Sequence, residues 1–161
     1  NGDTLTGITL IKLTEKMDAG AILMQNTCNI LENENNGDLS AKLALLGADS
    51  CIDFIQHQFL DNNIQLIEQN HDEATYCTKI EKDDLLIDDS MSSIEIYRRI
   101  KAFAPRPAAY CIQENKRIKL LDAQLEDNRL LLQTIQPEGR SPMSYTDYLL
   151  GNPKGINCHG K

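Results

Sequence analysis

The chain has 161 residues, which allows one domain or slightly more. Hydrophobic residues make up 41% and charged residues 25%, ordinary values for a globular protein. No apolar run approaches the roughly 18 residues that a membrane span needs, and no basic leader opens the chain, so neither membrane insertion nor a signal peptide is expected. Five cysteines lie scattered with no Cys-x-x-Cys spacing. That argues against a zinc site or a disulfide framework, and for a cytoplasmic location. No metal is expected. Charge is unevenly divided. Residues 1–90 hold 5 basic and 17 acidic residues, and residues 91–161 hold 11 basic and 7 acidic, so the halves carry −12 and +4. A polyanion-facing second half is one reading of this asymmetry, and routine solvation is the other.

In chain order, residues 7–13 and 21–30 are short, rich in β-formers and bounded by polar residues or Gly. They read as two strands of a hairpin joined by Thr14 to Gly20. A polar connection over 31–37 ends in the turn signal Asn36-Gly37. A helix is expected over Asp38–Phe59, with Asp38 or Ser40 as N-cap. Ala41, Leu45, Ala48, Ile52, Ile55 and Phe59 recur at helical spacing and form one apolar stripe. A hairpin alone is a small partner for such a stripe, so a sheet upstream of Asn1 is expected.

Residues 61–73 and 81–89 are polar and acidic, and read as a linker around Ala74–Ile80. Ser92-Ser93-Ile94-Glu95 has capping-box form. The helix it opens places Ile96, Ile100 and Phe103 on one face, with Arg98 and Lys101 pointing outward. It stops before Pro105. Three strands, 108–112, 117–125 and 129–135, follow with turns at Asn115-Lys116 and Asp127-Asn128, giving a small antiparallel sheet. Arg117 and Lys119 alternate with Ile118 and Leu120, so both lie on one face of their strand. Residues 144–150 read as a closing helical turn.

Chemistry-bearing residues are few. His57, His71 and His159 are isolated from one another and from ligand spacing. Nucleotide-binding and nucleophile-elbow motifs are absent. Asp18 stands out, because it lies between Met17 and Ala19-Gly20 with a strand directly behind it. Partial desolvation there would suit it to proton transfer. Asp-Ala-Gly is also ordinary turn chemistry, with the carboxylate serving nearby backbone.

Three stretches in fixed order carry a family resemblance. The first is Gly2-Asp3-Thr4-Leu5-Thr6-Gly7-Ile8-Thr9 followed by Met17-Asp18-Ala19-Gly20-Ala21-Ile22-Leu23-Met24-Gln25. The second is Ala74-Thr75-Tyr76-Cys77-Thr78-Lys79-Ile80, then Ile87-Asp88 and Ile100-Lys101-Ala102-Phe103-Ala104-Pro105-Arg106-Pro107-Ala108-Ala109-Tyr110. The third runs from Ile135-Gln136-Pro137-Glu138-Gly139-Arg140 to Ser141-Pro142-Met143-Ser144. Together they resemble the methionyl-tRNA formyltransferases over nearly the whole chain up to about Gly151. The first stretch is shared with the wider formyltransferase superfamily, and the second with sugar-nucleotide formyltransferases and formyl-folate hydrolase-like domains. The chain differs from the usual pattern at Asp89, where the family often has Trp, and at Arg106 and Ala108, where it often has Trp and Gly. The tail 155–161 matches no familiar pattern.

The resemblance implies an α/β fold. Residues 1–66 would be the end of a Rossmann-type formyltransferase domain and 67–90 a linker. Residues 91–161 would form a small, reduced β-barrel related to the OB fold. The implied reaction moves a formyl group from 10-formyltetrahydrofolate to the α-amino group of initiator methionyl-tRNA. The amine attacks the formyl carbon, and a His and an Asn stabilise the tetrahedral oxyanion while an Asp tunes the His. Only the Asp of this trio has a counterpart, Asp18. The Asn-x-His pair and the Ser-Leu-Leu-Pro folate loop are expected upstream of Asn1, so the chain is expected to be a fragment, inactive alone.

Met17, Asp18 and Gly20 would contact the formyl donor. Arg98, Lys101, Arg106, Arg117 and Lys119, with Arg99 and Lys116 as further candidates, would face tRNA. A monomer is expected. The alternatives are a sugar-nucleotide formyltransferase of the same fold and a non-catalytic RNA-binding module.

Overall fold

The structure is a computed structural model that describes residues 1–157. His159 and most of the unassigned tail therefore lie outside the described residues. The chain folds as two compact units. One comprises Asp3–Leu31 and Leu39–Lys79, and the other Asn1–Gly2, Glu32–Asp38 and the chain from Ile80 onward.

The first unit is built on an antiparallel hairpin of β1 (Leu5–Ile11) and β2 (Ile22–Asn29). Its register pairs Thr6 with Cys28, Ile8 with Asn26 and Leu10 with Met24. These six side chains share the more covered face, while Leu5, Thr9, Gln25 and Thr27 are exposed. Helix α1 (Asn36–Phe54) follows and runs into one π-helical turn at Ile55–Phe59. Its covered face carries Leu39, Leu43, Leu46, Ser50 and Phe54. Ser50 is buried, accepts a hydrogen bond from Asn26 Nδ2 at 2.7 Å and donates to Leu46 O at 2.6 Å. Lys42 Nζ bonds Asn29 O at 2.6 Å.

The stripe read from the sequence is therefore the open side of α1. Leu45 is 70% exposed and Phe59 59%, and Ala41, Ala48, Ile52 and Ile55 are exposed or half-buried with them. The helix is apolar on two faces, and the hairpin takes the one that offers Ser50 to Asn26. The helix cap also differs from the expectation. Asn35 Oδ1 accepts from Gly37 N at 2.8 Å and Asp38 N at 3.1 Å, and Asp38 Oδ2 accepts in return from Asn35 N. Asp38 is thus the returning partner of the cap, and the capping oxygen belongs to Asn35.

The second unit packs α2 (Ser93–Phe103) on an antiparallel sheet of order β3-β4-β5-β6. Its strands are β3 (Ala109–Gln113), β4 (Lys116–Glu126), β5 (Arg129–Pro137) and β6 (Met143–Ser144). Helix α3 (Tyr145–Gly151) closes it. The capping box forms as the sequence predicts. Ser92 Oγ accepts from Glu95 N, and Glu95 Oε2 accepts from Ser92 N at 2.7 Å. Ile96 and Ile100 reach zero exposure against Ile118, Leu120, Ala123, Ile135 and Ile156. Each such isoleucine stabilises the unit by about 1.5–3 kcal/mol through burial.

Ile118 and Leu120 face this core, and an irregularity at Asp122 shifts the pleat so that Ala123 becomes the next inward residue. The acidic stretch 81–89 joins the unit rather than crossing open space. Ile87 is in its core, and Ile87 N donates to Tyr110 O at 2.8 Å. Two expectations need correction. Among the described residues the sheet is open, with no closed barrel, because β6 is only two residues long and pairs with β5 alone. The β3–β4 turn is centred on Glu114-Asn115, both with positive φ, one residue earlier than expected. Asp127-Asn128 turns as predicted, with φ of 47° and 62°.

Candidate functional site

Asp18 sits in the hairpin loop with φ of 54°, a left-handed conformation that Asp tolerates better than most residues. Its side chain is exposed and Met17 beside it is 86% exposed. The apolar flanks therefore do not bury Asp18, contrary to the expectation from the sequence. Gly20 and Ala21 are buried behind it. A Cβ on Gly20 would come within 1.7 Å of Lys12 O, so only glycine permits the two loop ends to approach this closely. Lys12 N donates to Ala21 O at 2.9 Å and closes the neck.

Sequence reasoning missed Gln69. Its Nε2 donates to Asp18 O at 2.9 Å and to Gly20 O at 2.6 Å. The only local signal was position in a polar stretch, which says nothing of a partner 51 residues earlier. The site is thus a rigid-necked loop that presents Met17 and Asp18 outward.

The basic residues of the second unit fall into two sets. One set is engaged inside the unit. Lys101 is only 14% exposed, pairs with Asp122 at 2.8 Å and bonds Asn33 O at 3.4 Å. The expectation that it points outward is corrected, because the β4 irregularity brings a carboxylate to its face of the helix. Arg99 donates to the carbonyls of Asp84 and Leu86 at 2.8 and 3.1 Å.

The other set is displayed. Arg98 is exposed beside Gly2, and Arg106 and Lys116 are exposed. Arg117 lies over the Tyr110 ring at 4.3 Å. It shares with Lys119, Ile112, Gln136 and Gly139 the lining of a groove of about 510 Å³. This is the sheet face opposite the core, as the alternation along β4 predicts.

Comparison with known proteins decides the family. The formyl transferase model matches residues 1–55, and the model of the formyl transferase C-terminal domain matches residues 79–130. The chain belongs to the formyl transferase family. Asp18 lies inside the first match, and α2 and β3 lie inside the second.

A methionyl-tRNA formyltransferase of Streptococcus pyogenes serotype M6 is 30% identical over 173 residues, covering 94% of this chain and 55% of the relative. The chain thus spans about half the length of the curated relatives it matches. Among solved structures, HypX from Aquifex aeolicus in complex with tetrahydrofolic acid superposes with a TM-score of 0.71. It is 15% identical, and the match covers 96% of this chain and 32% of that one. Methionyl-tRNA formyltransferase from Clostridium thermocellum gives a TM-score of 0.61 at 15% identity, covering 84% of this chain and 57% of that one. These likenesses establish the formyltransferase fold. Among the described residues no helix is long and apolar enough to cross a membrane.

Proposed function

We propose that the chain serves folate-dependent formyl transfer to the amino group of initiator methionyl-tRNA, as the C-terminal part of a longer cytoplasmic enzyme of translation initiation. The observation that carries this reading is the 30% identity with a methionyl-tRNA formyltransferase across 94% of the chain. The open apolar side of α1 supports the second half of the proposal. A face carrying Leu45, Ile52, Ile55 and Phe59 suits burial against a further sheet of the same domain. On this reading 1–66 completes the formyltransferase domain, the chain after it leads into the second unit, which Ile80 begins, and that unit faces tRNA.

The formyl donor is 10-formyltetrahydrofolate, which supplies an activated one-carbon unit when bound. The residues present fit one side of its site. Met17 offers an exposed apolar surface and Asp18 an exposed carboxylate, while Gly20, buried against Lys12, shapes the loop behind them. Asp18 orients and charge-stabilises a histidine from the remainder of the domain, which holds the proton released from the attacking amine. Tetrahydrofolic acid in the related HypX structure supports a folate at this fold. Phosphates of tRNA meet Arg117, Lys119, Arg106 and Arg98. Lys101 has no part in this, because Asp122 already holds it.

The test supplies the complete enzyme with 10-formyltetrahydrofolate and either methionyl-tRNA or an amino-sugar nucleotide. Formyl-methionyl-tRNA is the expected product. Formylation of the sugar nucleotide alone would overturn the reading. The 161-residue chain by itself should give no product.

A further inference from the structure

The Asp18 loop holds itself together only weakly. Thr14 Oγ1 bonds Lys16 O at 2.9 Å, and the Ala19 N to Lys16 O bond is long at 3.4 Å. Asp18 nevertheless occupies left-handed backbone, which costs free energy unless the surroundings fix it. The fixing hydrogen bonds come from Gln69. A primary amide has two N–H donors, and here the Nε2 group meets the carbonyls of Asp18 and Gly20. The reversed amide would set its oxygen against two carbonyl oxygens, so this orientation is the one the site selects.

Gln69 is itself anchored. Ile67 exchanges both backbone hydrogen bonds with Ile22, at 2.8 and 3.0 Å, at the first residue of β2. The bridge sets Gln69 two residues further along, beside the loop neck that Gly20 closes against Lys12. Segments around Lys12, Gly20 and Gln69 thereby brace the backbone that carries the exposed Asp18.

We propose that Gln69 is a positioning residue for formyl transfer, fixing the backbone on both sides of Ala19 so that the Asp18 carboxylate is presented in one orientation. The proposal rests on the catalytic reading of Asp18 given above. A surface staple of no functional consequence would have the same hydrogen bonds, so the test separates the two.

Gln69→Glu keeps the shape and replaces both donors with acceptors. Gln69→Asn keeps the donors on a stem too short to reach both carbonyls. In the 161-residue chain, NMR order parameters of the Asp18 and Gly20 amides should fall from about 0.85 to below about 0.6 in either variant, with those of α2 unchanged. In the complete enzyme, kcat should fall about 10- to 100-fold with KM for both substrates within about twofold, the signature of misplacement rather than weakened binding. Combining Gln69→Glu with Asp18→Asn should be no slower than Asp18→Asn alone.

Unchanged order parameters, or a Gln69→Glu enzyme at full rate beside a slow Asp18→Asn enzyme, would overturn the role of Gln69 alone. An Asp18→Asn enzyme at full rate would instead overturn the reading of Asp18, and with it any catalytic role for Gln69.

Discussion

Gly20 shows how much a single residue settles in this loop. Its α-carbon sits where a Cβ would lie 1.7 Å from Lys12 O and 3.3 Å from Thr14 Cγ2. The nearest obstacle is backbone and cannot swing away. Gly20→Ala should therefore open the neck and break the Lys12–Ala21 hydrogen bond, lowering stability by about 1–3 kcal/mol in chemical denaturation. The amides of Asp18 and Ala19 should become the most affected in hydrogen exchange. Wild-type stability in that variant would show that the neck is looser than the structure has it. The same glycine is legible in the sequence only as part of a motif, because a close backbone approach depends on Lys12, eight positions earlier and across the loop. Gln69 is illegible for a stronger version of that reason. Lys101 resists sequence reasoning because its partner, Asp122, faces it only through the pleat shift in β4.

At the level of elements, local signals succeed where the chain's own neighbours decide the outcome. The Ser92–Glu95 capping box, the stop before Pro105 and the Asp127-Asn128 turn all depend on residues within a few positions, and all form as predicted. The choice of α1's covered face depends on Asn26 and Ser50, which are 24 positions apart, and periodicity alone selects the other face. Strand β6 is two residues long and exists through its pairing with Ile135 and Thr134, too short a run to signal itself.

The capping box also has a pH consequence. Hydrogen bonds first from the Ser92 hydroxyl and then from its backbone N–H hold the Glu95 carboxyl below the ordinary glutamate range. A folded-state pKa below the unfolded one contributes stability that is present above the unfolded value and lost as pH falls through the folded value. Thermal midpoints of the chain should therefore decline below about pH 4.5. Glu95→Gln should make that decline shallower while slightly lowering stability at neutral pH. An acid limb identical in both proteins would contradict this account of the cap.

For the molecule as a whole, charge is the widest-reaching feature. The −12 of residues 1–90 repels phosphate and the +4 of residues 91–161 attracts it, but part of the positive charge is engaged internally by Lys101 and Arg99. The outer face of β4 keeps Arg117 and Lys119 on display beside one groove. Arg117→Glu with Lys119→Glu should weaken tRNA binding by the complete enzyme. The log–log salt slope should become shallower by roughly 0.9 for each phosphate that the protein no longer neutralises. Unchanged affinity and slope would remove that face from the RNA interface.

In the proposed reaction Asp18 is a working carboxylate rather than a turn residue, and one substitution addresses this directly. Asp18→Asn preserves size and tolerance of the left-handed backbone and removes only the charge. The decisive measurement is the rate of formyl-methionyl-tRNA formation by the complete enzyme carrying Asp18→Asn, beside the wild type. The expected rate is lower by a factor on the order of 10²–10⁴, with chain stability little changed. Near-full turnover by the Asn variant would contradict it.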